Sequence, residues 1–269
     1  MHVGLAPAAA RSQPVSASYS EDMEELHADR RRAESFGAAS DDYDRYRPRY
    51  PRALIADLIT AAGLATLDVG AGTGIASVQL IRAGATVLAV EPDSRMAGVA
   101  AGKGVTVEIA TFEDWQPGSR TFDLVVFAQS FHWVQPRPAL AKVRGILNPG
   151  GRLALLSNRI VPKAPTWADL DDIYSDYLGD ERSSIVDATR LAEVTALIED
   201  GGFTVDNRNV VEQLHYTTED WLNLVFTYSN HLTLPAAARD ELRGRLAERI
   251  GPHGVDAVND ALAVICTPG

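Results

Sequence analysis

The chain has 269 residues, 46% of them hydrophobic, which is enough for one large core carrying an insertion. Its 25 basic and 36 acidic side chains leave a net charge of −11, which repels a phosphate backbone and argues against a nucleic-acid partner. The single cysteine, Cys266, excludes an intramolecular disulfide and a cysteine-rich metal site and fits a reducing cytoplasm, while no run reaches the roughly 18 apolar residues of a membrane span.

Residues 1–35 are rich in Ala, Ser and Pro and then in charge, ending in Arg30, Arg31 and Arg32. They lack the basic start and apolar centre of a signal peptide and predict a mobile arm ahead of a single domain over 36–269. Pro51 opens a helix carrying Leu54, Leu58 and Ile59, ended by Gly63. Then follow the strand LDV at 67–69, a helix from about Thr73 to Ala83 closed by Gly84, the strand TVLAVE, a helix through Met96 and the strand VTVEIA. FDLVVFA is the fourth strand, and a helix holding Leu140, Val143, Ile146 and Leu147 leads through Asn148-Pro149-Gly150-Gly151 into the strand RLALLS. These strands are continuous apolar runs, as expected when helices cover both sheet faces, so the fold class is α/β: a doubly wound, mostly parallel sheet with its ligand beyond the carboxyl ends of the strands.

After Ser157 the rhythm changes. Trp167, Leu170, Ile173, Tyr174, Tyr177 and Leu178 recur at helical spacing behind a capping box of Thr166 and Asp169, which predicts a helical insertion after the fifth strand. Seven acids and one base between Ala164 and Thr189 suit a solvated face or a cationic substrate. A helix with Leu191, Val194, Leu197 and Ile198, a strand from Phe203 to about Leu214, two more helices and a last strand in VDAVNDALAVICT complete the chain. Residues of about 160–200 and 215–250 form the expected substrate cap.

The stretch LDVGAGTGI raises the question of ligand. A dinucleotide loop needs glycine at its first, third and sixth positions; Gly70 and Gly72 supply two, but Ile75 stands at the sixth. Asp68, just before the glycines, would meet a diphosphate with negative charge at short range. A cationic ligand without phosphate fits better, and S-adenosylmethionine is one. Gly70 and Gly72 let backbone pass beneath its methionine portion, and Glu91, at the end of the second strand, can accept both ribose hydroxyls.

LDVGAGTG, AVEPDSRM, FDLVVFAQSFHWV and LNPGGRLALLSN, in this order and spacing over residues 43–158, resemble the successive motifs of the class I S-adenosylmethionine-dependent methyltransferases. The resemblance implies their seven-stranded Rossmann-like sheet and a cofactor site in which Asp68, Gly70, Ala71 and Gly72 line the methionine end and Glu91 holds the ribose. It further implies that Pro92 and Met96 flank the adenine and that Ala128 and Gln129 lie near the sulfur. Where the family often has an acid contacting the adenine, this sequence has Thr111, followed by Phe112. The segments YRPRYP and SFHW are similar to small-molecule enzymes of the trans-aconitate methyltransferase type. That similarity suggests that 36–60 is a lid over the cofactor, with Tyr46 and Arg47 at the cofactor and Arg47 pairing with its carboxylate or with an acidic substrate, set against simple packing of the segment's aromatic side chains on the first helix.

Methyl transfer from a sulfonium requires chiefly alignment, and no base if a carboxylate is the nucleophile; for a hydroxyl, His132 is the candidate base, set against a structural role beneath the lid. His215, His231 and His253 fall on separate elements without metal-ligand spacing, so no metal site is expected. The Asn/Asp-Pro-Pro-Tyr signature of many amino-group methyltransferases is replaced by Ala128-Gln129-Ser130-Phe131, which with the acidic charge argues against a nucleic-acid substrate; a small acceptor attacked through oxygen is the preferred reading, with nitrogen and carbon acceptors open. A sensor that binds S-adenosylmethionine without turnover is the alternative.

Overall fold

The computed structural model describes residues 36–178 and 188–269, so the expectation of a mobile arm over 1–35 lies outside the described residues. β1 (Ala65–Val69), β2 (Thr86–Val90), β3 (Thr106–Glu108), β4 (Phe122–Ala128) and β5 (Leu147–Ala164) run parallel. β7 (Val255–Pro268) pairs antiparallel with both β5 and β6 (Phe203–Tyr216), which completes a seven-stranded sheet of order β3-β2-β1-β4-β5-β7-β6. The order reverses between β1 and β4, and the carboxyl ends of those two strands mark the place where a ligand crevice forms.

Side-chain alternation divides the apolar residues between two layers. Leu67, Val69, Phe127 and Leu153 face α5 (Pro136–Ile146) and α7 (Ala188–Asp200), meeting Leu140, Val143 and Ile198. Leu124, Val126 and Leu156 face the other way, onto α2 (Arg52–Leu58) and α3 (Ile75–Arg82), meeting Leu54, Leu58 and Leu80. Each of these leucines is fully buried or nearly so, and truncating one to alanine costs about 2–5 kcal/mol.

A third cluster lies beyond the ends of β5 and β7. There α6 (Asp171–Leu178), α8 (Thr218–Val225), α9 (Ser229–Leu232) and α10 (Ala236–Ile250) form a cap whose interior holds Leu170, Tyr174, Trp221, Leu242 and Leu246 against Ile160 and Ala257 of the strands. Its entry is the expected capping box: Thr166 N donates to Asp169 Oδ2 at 2.8 Å, and Asp169 N to Thr166 Oγ1 at 3.3 Å.

Several boundaries differ from the sequence reading, three of them beside the site or its cap. β5 extends well past Ser157, because β7 pairs with it as far as Ala164↔Asp256, with one register shift between Pro162 and Ala164. α7 belongs to the body and not to the cap, since Val194 and Ile198 pack in the same cluster as Leu140. α3 begins at Ile75 and not Thr73, because Gly74 takes a left-handed φ of 79° at the N-cap and Thr73 stays in the loop. Among the described residues, no helix is long and apolar enough to cross a membrane.

Candidate functional site

The head of the sheet is organised by the turn after β1. Gly70 N and Ala71 N both donate to Val90 O, at 2.8 and 3.3 Å, tying the loop to the end of β2. Gly70 has a φ of 65°, and a Cβ on it would lie 2.6 Å from Ser130 Cβ, so this turn admits only glycine. Ser130 cannot yield easily, since its hydroxyl donates to Val69 O at 2.5 Å. A Cβ on Gly74 would lie 3.0 Å from Ala100 Cβ, which shows how closely α3 sits against α4 (Ser94–Gly102).

Glu91 follows β2 and is buried, with Oε2 accepting from Gly72 N at 2.7 Å and Oε1 from Asp93 N at 2.9 Å. Burial pushes its carboxyl up to about 7, although those two amides pull the other way. Each oxygen keeps a further lone pair, so two more donors, such as adjacent ribose hydroxyls, fit the same carboxylate. Asp93 caps α4 by accepting from Arg95 N and Met96 N. Met96 is buried and its Cε comes 3.4 Å from the Cβ position of Gly72, while Pro92 stands exposed beside it.

Asp68 differs from expectation. It is fully buried beneath the loop, its Oδ2 accepts from Ser77 Oγ at 2.6 Å, and its Oδ1 has no hydrogen-bond partner. Burial pushes its carboxyl up to about 6. The alternation of β1 explains the placement: Leu67 and Val69 point to one layer and Asp68 to the other, toward α3 rather than into a crevice. Asp68 is not among the residues that line the cavity between loop, lid and cap.

The segment before the first strand closes over this loop. In α1 (Ser40–Tyr46), Asp44 Oδ1 accepts from Thr73 Oγ1 at 2.9 Å and from Lys103 Nζ, and Lys103 Nζ also donates to Thr73 O at 2.8 Å. Tyr50 and Gln79 exchange two hydrogen bonds of 2.9 and 2.8 Å, and Asn158 Nδ2 donates to Pro48 O at 3.2 Å. Gly37 is buried against Asp93 and Arg95.

Between loop, strand tips, lid and cap lies a cavity of about 540 Å³ including its open mouth. Ala71, Thr73, Ile75 and Ala76 form its floor, Ala128, Gln129, Asn158 and Ile160 one wall, and Tyr43, Arg47, Pro48, Tyr50 and Tyr228 the roof. Gln129 carries a left-handed φ of 59°, unusual for a residue with a side chain, and its Nε2 donates to Asn158 O at 2.9 Å. Arg47 is the one charged residue in this lining. Its guanidinium lies 4.7 Å from the ring centre of Tyr43 and 4.4 Å from that of Tyr228, Nη2 donates to Thr227 O at 2.9 Å, and Nε is buried without a partner.

Of the residues singled out from sequence, Ala71, Ala128, Gln129 and Arg47 line this cavity, and Gly70, Gly72, Glu91 and Met96 stand behind its floor around the turn. The others point elsewhere. Tyr46 lies beneath the guanidinium of Arg45 at 5.3 Å, Thr111 Oγ1 donates to Asp114 Oδ2 at 2.8 Å, and the Phe112 ring is buried edge-on to Phe127 at 5.5 Å. His132 packs beside Trp133, ring centres 5.0 Å apart, and is not part of the lining. Sequence reasoning missed Asp44, Thr73, Lys103, Asn158 and Tyr228. Asp44 shares its segment with Asp41 and Asp42 and nothing local sets it apart, while Arg47 and Thr227 are joined across 180 positions.

The comparisons with known proteins agree with this geometry. A methyltransferase domain family matches residues 67–155. An uncharacterized methyltransferase of Mycobacterium tuberculosis is 33% identical over 233 residues, which are 86% of this chain and 91% of that protein. An uncharacterized methyltransferase of Schizosaccharomyces pombe is 24% identical over 217 residues, 78% of this chain and 84% of its own. Among solved structures, one assigned as a type II methyltransferase of Anaeromyxobacter dehalogenans superposes with a TM-score of 0.58 at 22% identity, covering 83% of this chain and 98% of that one. A methyltransferase structure from Anabaena variabilis does so with a TM-score of 0.58 at 17% identity, over 80% of this chain and 98% of its own. With a buried acid after β2, a glycine turn that admits no side chain and a relative matched over nearly its whole length, the chain belongs to the class I S-adenosylmethionine-dependent methyltransferases.

Proposed function

We propose that this methyltransferase acts on a small molecule rather than a nucleic acid, at oxygen, and that the acceptor bears a carboxylate. The observation that carries the reading is Arg47: a cation held between two tyrosine rings on the roof of the cavity, with a buried Nε awaiting an acceptor and no carboxylate in the surrounding wall. A carboxylate facing that guanidinium gains a charge-assisted hydrogen bond in a partly water-free site. The net charge of −11 supports the exclusion of polynucleotides.

The chain's own contribution is alignment and exclusion of water. Gly70, Ala71 and Gly72 give a floor without side-chain obstruction, Glu91 offers paired acceptors to a ribose, and Gln129 and Asn158 fix the wall nearest the strand tips. When bound there, S-adenosylmethionine supplies an activated methyl group. The lid bonds of Asp44 and Tyr50 keep α1 closed, and good alignment in a closed site lowers a barrier by as much as ~7 to 11 kcal/mol. A carboxylate nucleophile needs no base, which is consistent with His132 lying outside the lining.

The test is to incubate the protein with methyl-labelled cofactor and a panel of small carboxylic acids, following S-adenosylhomocysteine and the labelled product by mass spectrometry. The reading expects an alkali-labile methyl ester and a loss of about tenfold or more in kcat/KM on Arg47→Gln. Label on nitrogen or carbon, or turnover of acids indifferent to Arg47→Gln, would contradict it. A hydroxyl acceptor would show instead as an alkali-stable ether.

A further inference from the structure

Seven buried side-chain polar atoms among the described residues have no hydrogen-bond partner, and five of them fall on one contiguous patch: Arg47 Nε, His231 Nε2, Tyr174 OH, Trp167 Nε1 and Trp221 Nε1. Native interiors leave few such atoms unmet, so a concentration of them points to something that reaches them in the working state. The patch is continuous. Tyr228 lines the cavity and lies against Arg47, His231 packs behind Tyr228 with ring centres 6.2 Å apart, and Tyr174 stands edge-on to His231 at 5.8 Å. Trp167 continues the row, 5.7 Å from Tyr174 and 5.8 Å from Trp221.

The hydrogen-bonding sense of each atom defines what would satisfy the set. His231 Nδ1 is 2.9 Å from Asn230 Oδ1, and an amide oxygen only accepts, so Nδ1 carries the proton and Nε2 presents a lone pair. Burial, with the charge of Arg47 second, pushes this imidazole down to about 3, which keeps it neutral and makes it a poor base. Burial likewise raises the Tyr174 phenol, with Tyr228 adding to it, while the Trp221 indole, directed at the hydroxyl but short of hydrogen-bond geometry, pulls the other way. The patch therefore offers the His231 Nε2 lone pair beside the indole donors of Trp167 and Trp221 and the Tyr174 hydroxyl, which donates or accepts, and it is bordered by the rings of Phe226, Tyr174 and Trp167. A hydroxyl both donates and accepts, and a planar ring suits those walls.

We propose that the cap interior behind Tyr228 is a distal subsite of the acceptor pocket, taking the hydroxylated ring of a small aromatic acid whose hydroxyl donates to His231 Nε2 while its carboxylate faces Arg47. Resting on the reading above, this narrows the acceptor to hydroxyaromatic carboxylic acids and makes His231 a positioning residue. Tyr228 stands in the turn between α8 and α9 and separates this interior from the cavity it lines, so the proposal requires its ring to swing aside for the acid to enter.

The experiment uses the full chain saturated with S-adenosylhomocysteine, so that no turnover intervenes. Calorimetry compares benzoate with 3- and 4-hydroxybenzoate, and phenylacetate with 4-hydroxyphenylacetate, while tryptophan emission reports on Trp167 and Trp221. The same titrations are run on His231→Gln, which keeps an acceptor near the Nε2 position, and His231→Leu, which removes it; unchanged affinity for S-adenosylhomocysteine certifies that each variant is folded. The proposal expects the best hydroxylated acid to bind about tenfold more tightly than its parent in the wild type and in His231→Gln, quenching tryptophan emission, with the ratio falling to about one in His231→Leu. Equal binding of parent and hydroxylated acids in the wild type, or an undiminished ratio in His231→Leu, would overturn the subsite and leave a buried water as what meets these atoms, with the carboxylate reading intact. Failure of every acid to bind would overturn both.

Discussion

The body and the cap of this protein solve opposite problems. In the body, the polar groups at the head of the sheet satisfy one another: Glu91 holds two backbone amides, Ser130 a carbonyl, and Asp44 ties lid to loop. In the cap, large aromatic rings fill the interior, and their polar atoms are left unmet. Turns and cofactor ligation demand fixed backbone geometry, whereas acceptor recognition demands groups that a ligand completes. The two buried carboxyls of the body and the buried imidazole of the cap also carry opposite pH signatures, which gives a direct way to separate the regions.

The largest expected effect is on the body. Gly70→Ala places a Cβ against Ser130 at a left-handed φ, and should cost on the order of 2 kcal/mol or more of stability and abolish measurable cofactor binding. Urea unfolding and calorimetry measure both. Tyr174→Phe in the cap should instead leave the stability within about 1 kcal/mol or raise it slightly, because it deletes an unmet hydroxyl. If the two variants behaved alike, the contrast between the regions would fail.

Asp44→Ala should come next, weakening cofactor affinity by about tenfold through loss of the bonds to Thr73 and Lys103, with most of the change in the dissociation rate, which stopped-flow displacement would show. The pH dependence follows. Asp68 and Glu91 are raised to about 6 and about 7, so the stability they favour is present below their unfolded values near 4 and fades as pH rises through 6 to 7. His231 is lowered to about 3, so its contribution is present above about 6.5 and fades as pH falls toward 3. Glu91→Gln should therefore flatten the upper side of a melting-temperature profile and His231→Leu the lower side. Ribose hydroxyls favour the Glu91 carboxylate, so cofactor affinity should rise with pH up to about 7 and level off above it, a rise absent in Glu91→Gln. The smallest effect is expected for His132→Ala: turnover should fall by less than about tenfold, where loss of a general base would cost about 10² to 10⁴.

The parallel strands and the glycine turn were legible in the sequence because their physics is local. Continuous apolar runs such as FDLVVFA require cover on both faces, and a turn at a left-handed φ of 65° favours glycine wherever the rest of the chain goes. Glu91 was legible for the same reason, as an acid ending a strand. Asp68 shows the limit: its residue type suggested contact with a ligand, but the pleat of a short strand turned it toward Ser77. The cap was illegible as a site. Leu170, Tyr174 and Leu178 announced a helix, yet the meeting of Tyr174 with His231, and of Arg47 with Tyr228, depends on packing between segments far apart in the chain. His231 sat on its own predicted element with no partner in sequence, and only burial reveals its bare nitrogen.

A crystal structure of the protein with S-adenosylhomocysteine and an aromatic acid tests the central claim most directly. The account predicts the ribose hydroxyls on the Glu91 carboxylate, the methionine portion over Gly70 and Gly72, and the acid's carboxylate against Arg47 beneath the closed lid. A cofactor resting elsewhere, or an acid whose carboxylate turns away from Arg47, would contradict it.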